Sequence, residues 1–146
     1  MKTKKILLLL SLLFCVFLLL VLSDYFQSIK DNKKIDQLNL SLTGIVTKKE
    51  SFTYGHGYGF VLIDIYKSNY SDFDPREKKQ DYFFIIKQRK CVFVFGGISR
   101  VQIGDSIVVN KRDIFLYRNN KKVDEHFEVY LLPSIYCDNP DVFFNQ

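Results

Sequence analysis

The side chains able to do chemistry are few and far apart. His56 and His126 are the two histidines of the chain, and no His-x-x-x-His or Cys-x-x-Cys spacing assembles a zinc-type ligand set around either. Asp124, His126 and Glu128 fall on one face of a predicted strand, because residues two apart project together. Such a row suits a solvated strand face better than a cation site. Gly-x-Ser-x-Gly and Ser-x-x-Lys are absent, so no nucleophile comes with a sequence context that would activate it. Among the 16 Asp and Glu residues, no spacing singles out a pair for general acid and base work. The expectation is therefore no catalytic residues, no cofactor-binding residues and no metal ligands.

Two other groups of residues carry some chemistry. Cys91 and Cys137 lie outside the apolar start of the chain, and in an oxidising compartment they could pair. The loop so closed would contribute about 4 kcal/mol in the chain-entropy model and would tie the C-terminal tail to a strand. Neither has a neighbour that would depress its thiol pKa. Gly55-His56-Gly57-Tyr58-Gly59 has the glycine density of a phosphate loop. Phosphate loops, however, follow a strand and open a helix, whereas this one runs straight into the apolar segment Phe60–Tyr66. It reads as a flexible hairpin tip that presents His56 and Tyr58. Asn39-Leu40-Ser41 and Asn69-Tyr70-Ser71 match the short glycosylation triplet.

The elements that position these residues begin with a membrane segment. Lys2, Lys4 and Lys5 precede an uncharged run from Ile6 to Leu22, interrupted by Ser11 and Cys15. This length sits at the lower bound for crossing a bilayer as a helix. The lysines favour a cytoplasmic N-terminus, which would place the remainder outside. The domains expected are a cytoplasmic N-terminus over 1–5, a transmembrane helix over 6–23, a helical extension and linker over 24–39, a β-barrel over 40–132, and a partly packed tail over 133–146. The helix is expected to end near Lys30. The alternative is a signal sequence cleaved near Ser23, with secretion of the rest.

The net charge of +5 from 21 basic and 16 acidic residues overstates the basicity of the β domain, since three of the lysines precede the membrane segment. The remaining basic residues are scattered pairs such as Lys48-Lys49 and Lys78-Lys79, not a stripe for nucleic acid. With 14 Phe, 9 Tyr and no Trp, the composition suits strands. Period-two runs predict strands over Leu40–Phe52, Phe60–Tyr66, Tyr82–Ile86, Cys91–Phe95, Ser106–Asn110, Ile114–Tyr117 and Val123–Leu131. Asn119-Asn120 has the type of a two-residue hairpin turn. The fold class is mainly β: an N-terminal transmembrane helix followed by a small OB-like or SH3-like antiparallel barrel of about five to seven strands.

Ile103-Gly104-Asp105-Ser106-Ile107 has a clear structural logic. Gly104 permits a positive φ, and Asp105 can bond its own turn. Together with Gly44-Ile45-Val46, Val101, Val109 and the later Tyr117-Arg118, it resembles small membrane-anchored bacterial proteins in which an OB-like barrel follows one helix. The similarity spans about Ser41 to Val129. It implies a fold and a place in the inner membrane, and assigns no functional residue beyond the structural turn at Gly104 and Asp105.

These readings lead to a single-pass, non-catalytic binding or interaction module of the bacterial cell envelope, with the membrane and an envelope protein as partners. The contacts expected are His56, Tyr58, Tyr66, Tyr70 and Phe73, on the hairpin tip and the Lys67–Gln80 loop. A structural accessory subunit acting through its anchor helix is the alternative, and an enzyme of unknown type the remaining one.

Overall fold

The computed structural model describes residues 2–52, 57–123, 127, 129, 131–132 and 140–144. The chain divides into two units, Met1–Lys34 and Ile35–Gln146. Helix α1 runs from Lys2 to Leu38. The sequence from Met1 to Leu38 holds no glycine or proline and is rich in Leu and Lys, which lose little side-chain freedom in a helix. Within it Leu10–Leu38 is long and apolar enough to cross a membrane, and none of its most apolar stretch is buried by the protein. The expected end near Lys30 is corrected: the helix continues through the polar segment. Gln27 Nε2 donates to Asp31 Oδ1 one turn on, at 3.0 Å, and Ile35 is buried in the domain core. The linker shrinks to Asn39, which takes a positive φ of 45°, and Leu40.

Seven strands follow: β1 Ser41–Ser51, β2 Tyr58–Ser68, β3 Phe84–Lys87, β4 Lys90–Gly96, β5 Ser106–Asn110, β6 Asp113–Arg118 and β7 Lys121–Lys122. They form one antiparallel sheet in the order β3-β4-β2-β1-β5-β6-β7. Among the described residues no ladder joins β3 to β7, so the sheet is not closed into a barrel. The seventh strand also departs from expectation. It lies at Lys121–Lys122, just after the Asn119-Asn120 turn, whose φ values of 51° and 62° suit a two-residue hairpin. Of the expected Val123–Leu131 strand, residues 124–126, 128 and 130 lie outside the described residues. Phe127 is buried, and Leu132 forms an isolated bridge to Tyr82, two residues ahead of β3.

The β1–β2 ladder shifts register twice, between Thr43 and Gly44 and between Val46 and Lys48, as ladders do at bulges. At the first, Gly44 lies so close to β2 that a Cβ would run into the Asp64 carbonyl oxygen and Ile63 Cγ2. The half made of β3, β4 and β2 is buried on both faces: Phe84, Ile85 and Ile86, Cys91 to Val94, and Val61 to Ile63 all lie inside. The half made of β1, β5 and β6 buries one face only, with Leu42, Ile107, Val109, Ile114 and Leu116 inside. Aromatic rings fill the core. Phe73 stacks on Phe84 with centroids 4.6 Å apart, and Phe83 meets Phe93 edge to face at 5.6 Å.

The start of β1 is held by one side chain. Asn69 Nδ2 donates to the Asn39 carbonyl, and Asn69 Oδ1 accepts from the Ser41 amide, both at 2.8 Å. Both ends of this amide are occupied, which argues against its use as a glycan acceptor. Replacing Asn69 with Ala removes both bonds, and a loss of about 1–2 kcal/mol in urea denaturation is expected. Asn69→Asp keeps the acceptor only and should lie between Ala and wild type.

Candidate functional site

Three features of the β domain bear on function: a buried ionic joint, a half-buried one and an open sheet face. The first joint is the turn before β5. Gly104, at φ +93°, lets the chain reverse, and Asp105 turns inward to 2 % exposure. Arg118 on β6 meets it with two parallel bonds, Nε to Oδ1 and Nη2 to Oδ2, each 2.8 Å. The Gln102 amide donates to Oδ2 at 2.8 Å. Burial alone would raise the Asp105 pKa, but the Arg118 and Gln102 hydrogen bonds outweigh it and hold the carboxyl below its ordinary range. Arg118 Nη2 also donates to the Arg100 carbonyl, and Lys49 Nζ donates to the carbonyls of Ile98 and Val101. The turn is thus fixed to β1 and β6 by groups that are themselves engaged. The sequence reading of Gly104 and Asp105 as a structural turn agrees with this geometry.

The second joint closes the loop before β3. Asp74 caps the 3-10 turn at Pro75–Lys78 by accepting from the Arg76 amide. The Arg76 guanidinium bridges Asp74 and Asp141, with Nη2 2.6 Å from Asp74 Oδ2 and 2.8 Å from Asp141 Oδ1. Lys87 Nζ adds a contact of 2.8 Å to Asp74. Hydrogen bonding from Arg76 is the main reason the Asp74 and Asp141 carboxyls stay below their usual range. The bond with Asp74 raises Lys87 correspondingly. This joint ties the Pro140–Phe143 turn to β3, and Phe144 packs against the core.

The open face belongs to the half-covered side of the sheet. Facing residues in a ladder project to the same side. The register therefore places Lys67, Thr43, Val108 and Phe115 in one row, and Asp64, Ile45, Ser106, Tyr117 and Lys122 in the next. Thr43, Ile45, Val108, Phe115 and Tyr117 are half-buried, not covered. Tyr66 is the extra residue at the first β1–β2 irregularity and is 62 % exposed. Lys122 Nζ sits 4.7 Å above the Phe115 ring centroid, a cation–π distance.

Of the aromatic contacts expected from sequence, the structure places Tyr66 on this face and leaves it open. Tyr58 is half-buried at the start of β2. Tyr70 and Phe73 are not free loop aromatics; both pack on the core, with ring centroids 5.0 Å apart. The Tyr70 hydroxyl donates to the Leu38 carbonyl, and Phe73 bridges to Ile86. His56 and Cys137 lie outside the described residues. Cys91 is fully buried in β4 with a free thiol, and burial pushes that thiol well above its ordinary range. Ile45, Val108, Phe115, Tyr117 and Lys122 were not among the contacts expected from sequence. The signal was the unbroken run Ile114-Phe115-Leu116-Tyr117: a strand with one wet face alternates, and this one is apolar on both. No family model, curated protein or solved structure matches the chain.

Proposed function

We propose that this protein is a single-pass, membrane-anchored binding module of the bacterial cell envelope that acts without catalysis. The observation that carries the reading is the open face of β1, β5 and β6, where Phe115 and Tyr117 stand half-exposed beside Ile45 and Val108, with Tyr66 of β2 exposed next to them. Aromatic and aliphatic side chains gathered on one open face are the usual mark of an interaction surface. The buried carboxylates support a non-catalytic role, because Asp74 and Asp105 are held by arginines in joints that fasten loops. The Leu10–Leu38 span supports the anchor, and Lys2, Lys4 and Lys5 support a cytoplasmic N-terminus with the domain on the outer side of the inner membrane. The resemblance to small membrane-anchored bacterial proteins agrees with that location. Cleavage near Ser23 would export the same domain.

Cross-linked co-purification of the full-length protein from its native membrane tests the reading. A stoichiometric partner that is retained when residues 2–23 are exchanged for an unrelated membrane helix is the expected result. Loss of the partner on exchange would instead favour an accessory subunit acting through its helix. Absence of any partner from the wild-type protein would overturn both.

A further inference from the structure

Resting on the reading of the open sheet face as a binding surface, we infer that its ligand is an acidic, extended protein segment carrying apolar side chains. The inference comes from the charge and the polar content of that face. The register places Lys48, Lys67, Lys87, Lys90 and Lys122 on the same side of the sheet as Glu50, Asp64 and Asp113, so lysines outnumber carboxylates there. Asp64 stands opposite Lys90 across the β2–β4 ladder, and Asp113 is at the far end, beside the β5–β6 turn. Lys67 and Lys122 flank the apolar rows from opposite sides, and both are exposed. A ligand lying across β1, β5 and β6 therefore meets lysines at opposite corners, Lys67 ending one row and Lys122 the other, with apolar side chains between and Asp64 beside the Lys67 corner.

The chemistry of the middle narrows the class. A glycan needs many hydrogen-bonding side chains to match its hydroxyls. Between the flanking lysines the neutral hydrogen-bonding groups are three single hydroxyls, those of Thr43, Ser106 and Tyr117. A single-stranded nucleic acid stacks its bases on successive rings and tracks a continuous basic groove. Here Ile45 and Val108 occupy the centre, and Asp64 interrupts the cationic edge. Aliphatic and aromatic rows bounded by lysines fit a peptide whose apolar residues alternate with Asp or Glu. Its carboxylates would reach Lys67 and Lys122 while its apolar side chains cover Phe115, Tyr117 and Tyr66.

The test uses the full-length protein in a neutral detergent, with labelled poly(Glu,Tyr) as the probe and fluorescence anisotropy as the readout. Poly(Glu,Tyr) is expected to bind more tightly than poly(Lys,Tyr), polygalacturonate or oligo-dT, and the binding should weaken as salt screens the lysines. Lys67→Glu combined with Lys122→Glu should weaken it about tenfold or more, since reversed charges repel the ligand. Tyr66→Ala, which removes an exposed ring and leaves the core untouched, should weaken it about threefold or more. Lys78→Glu combined with Lys79→Glu makes the same charge change at exposed positions of the turn before β3, outside the two rows, and should change affinity less than about twofold. Tighter binding of polygalacturonate or oligo-dT, or equal weakening by the two double variants, would overturn the inference. Co-purification separates it from the broader reading: a native partner retained by the Lys67→Glu, Lys122→Glu protein leaves a binding module whose contact lies elsewhere.

Discussion

Arg118→Ala should be the most damaging single change at the polar positions, with a loss of about 2–3 kcal/mol. Asp105 is 2 % exposed, so removing its partner strands a carboxylate inside the protein. A fully buried pair would cost more, but the Arg118 side chain is about a third open to water, which lets solvent screen part of the charge. The Arg100 carbonyl loses a donor as well. Urea denaturation of the full chain in micelles, followed by near-ultraviolet tyrosine dichroism, gives the number, and a loss below about 0.5 kcal/mol would contradict the buried-pair account. The pH dependence supplies a second check. The folded Asp105 pKa is depressed, so its stabilisation is present above the ordinary carboxylate pKa, about 4, and fades as pH falls through the lower folded value. Asp105→Asn should flatten that acid limb, and Arg118→Ala should remove most of the difference between the two proteins.

Gly44→Ala should rank next. The added Cβ has nowhere to go, because its obstacles are the Asp64 carbonyl oxygen, which belongs to the paired backbone, and Ile63 Cγ2, which belongs to a fully buried side chain. The β1–β2 ladder would have to open at its bulge, at a cost of about 2–3 kcal/mol, toward the upper end for overpacking. Ile45→Ala, one residue on, points to the open face and should cost less than about 1 kcal/mol. Reversal of that order in thermal or urea unfolding would show that β1 does not sit on β2 as described. Gly104→Ala tests a different mechanism, at the glycine of the turn before β5. No atom obstructs a Cβ there, so its penalty should come from the backbone at φ +93° alone.

The strands were legible because their residues obey simple local rules. Phe60–Tyr66 and Cys91–Phe95 are short, apolar and bounded by Gly or by charged turns, and both became strands within a residue or two of the expected limits. The Gly104-Asp105 turn was legible for the same reason, since one residue needs a positive φ and the next bonds its own loop. What could not be read is the partner. Arg118 reaches Asp105 from thirteen residues away, and only a ladder register brings them together. The helix end was misjudged because polar composition after Ser23 resembles a linker, while tertiary burial of Ile35 draws the helix onward. Tyr70 and Phe73 show the same limit in reverse. They sit in a polar loop, and the composition of a loop does not say which side chains fold back onto the core. Phe115 and Tyr117 were not expected on an open face because an apolar strand reads as core from sequence, whichever way its side chains point.

The place of β1 in the sheet has a mechanical consequence. It is the first strand after α1, yet it lies in the middle of the sheet, bonded to β2 on one side and β5 on the other. Any pull transmitted along α1 therefore arrives at a strand gripped by two ladders, with Asn69 fastening its first residues. An edge strand in that position would unzip one pair of hydrogen bonds at a time. A central one must break bonds to both neighbours together before it moves, so a pull along α1 meets two ladders at once instead of one.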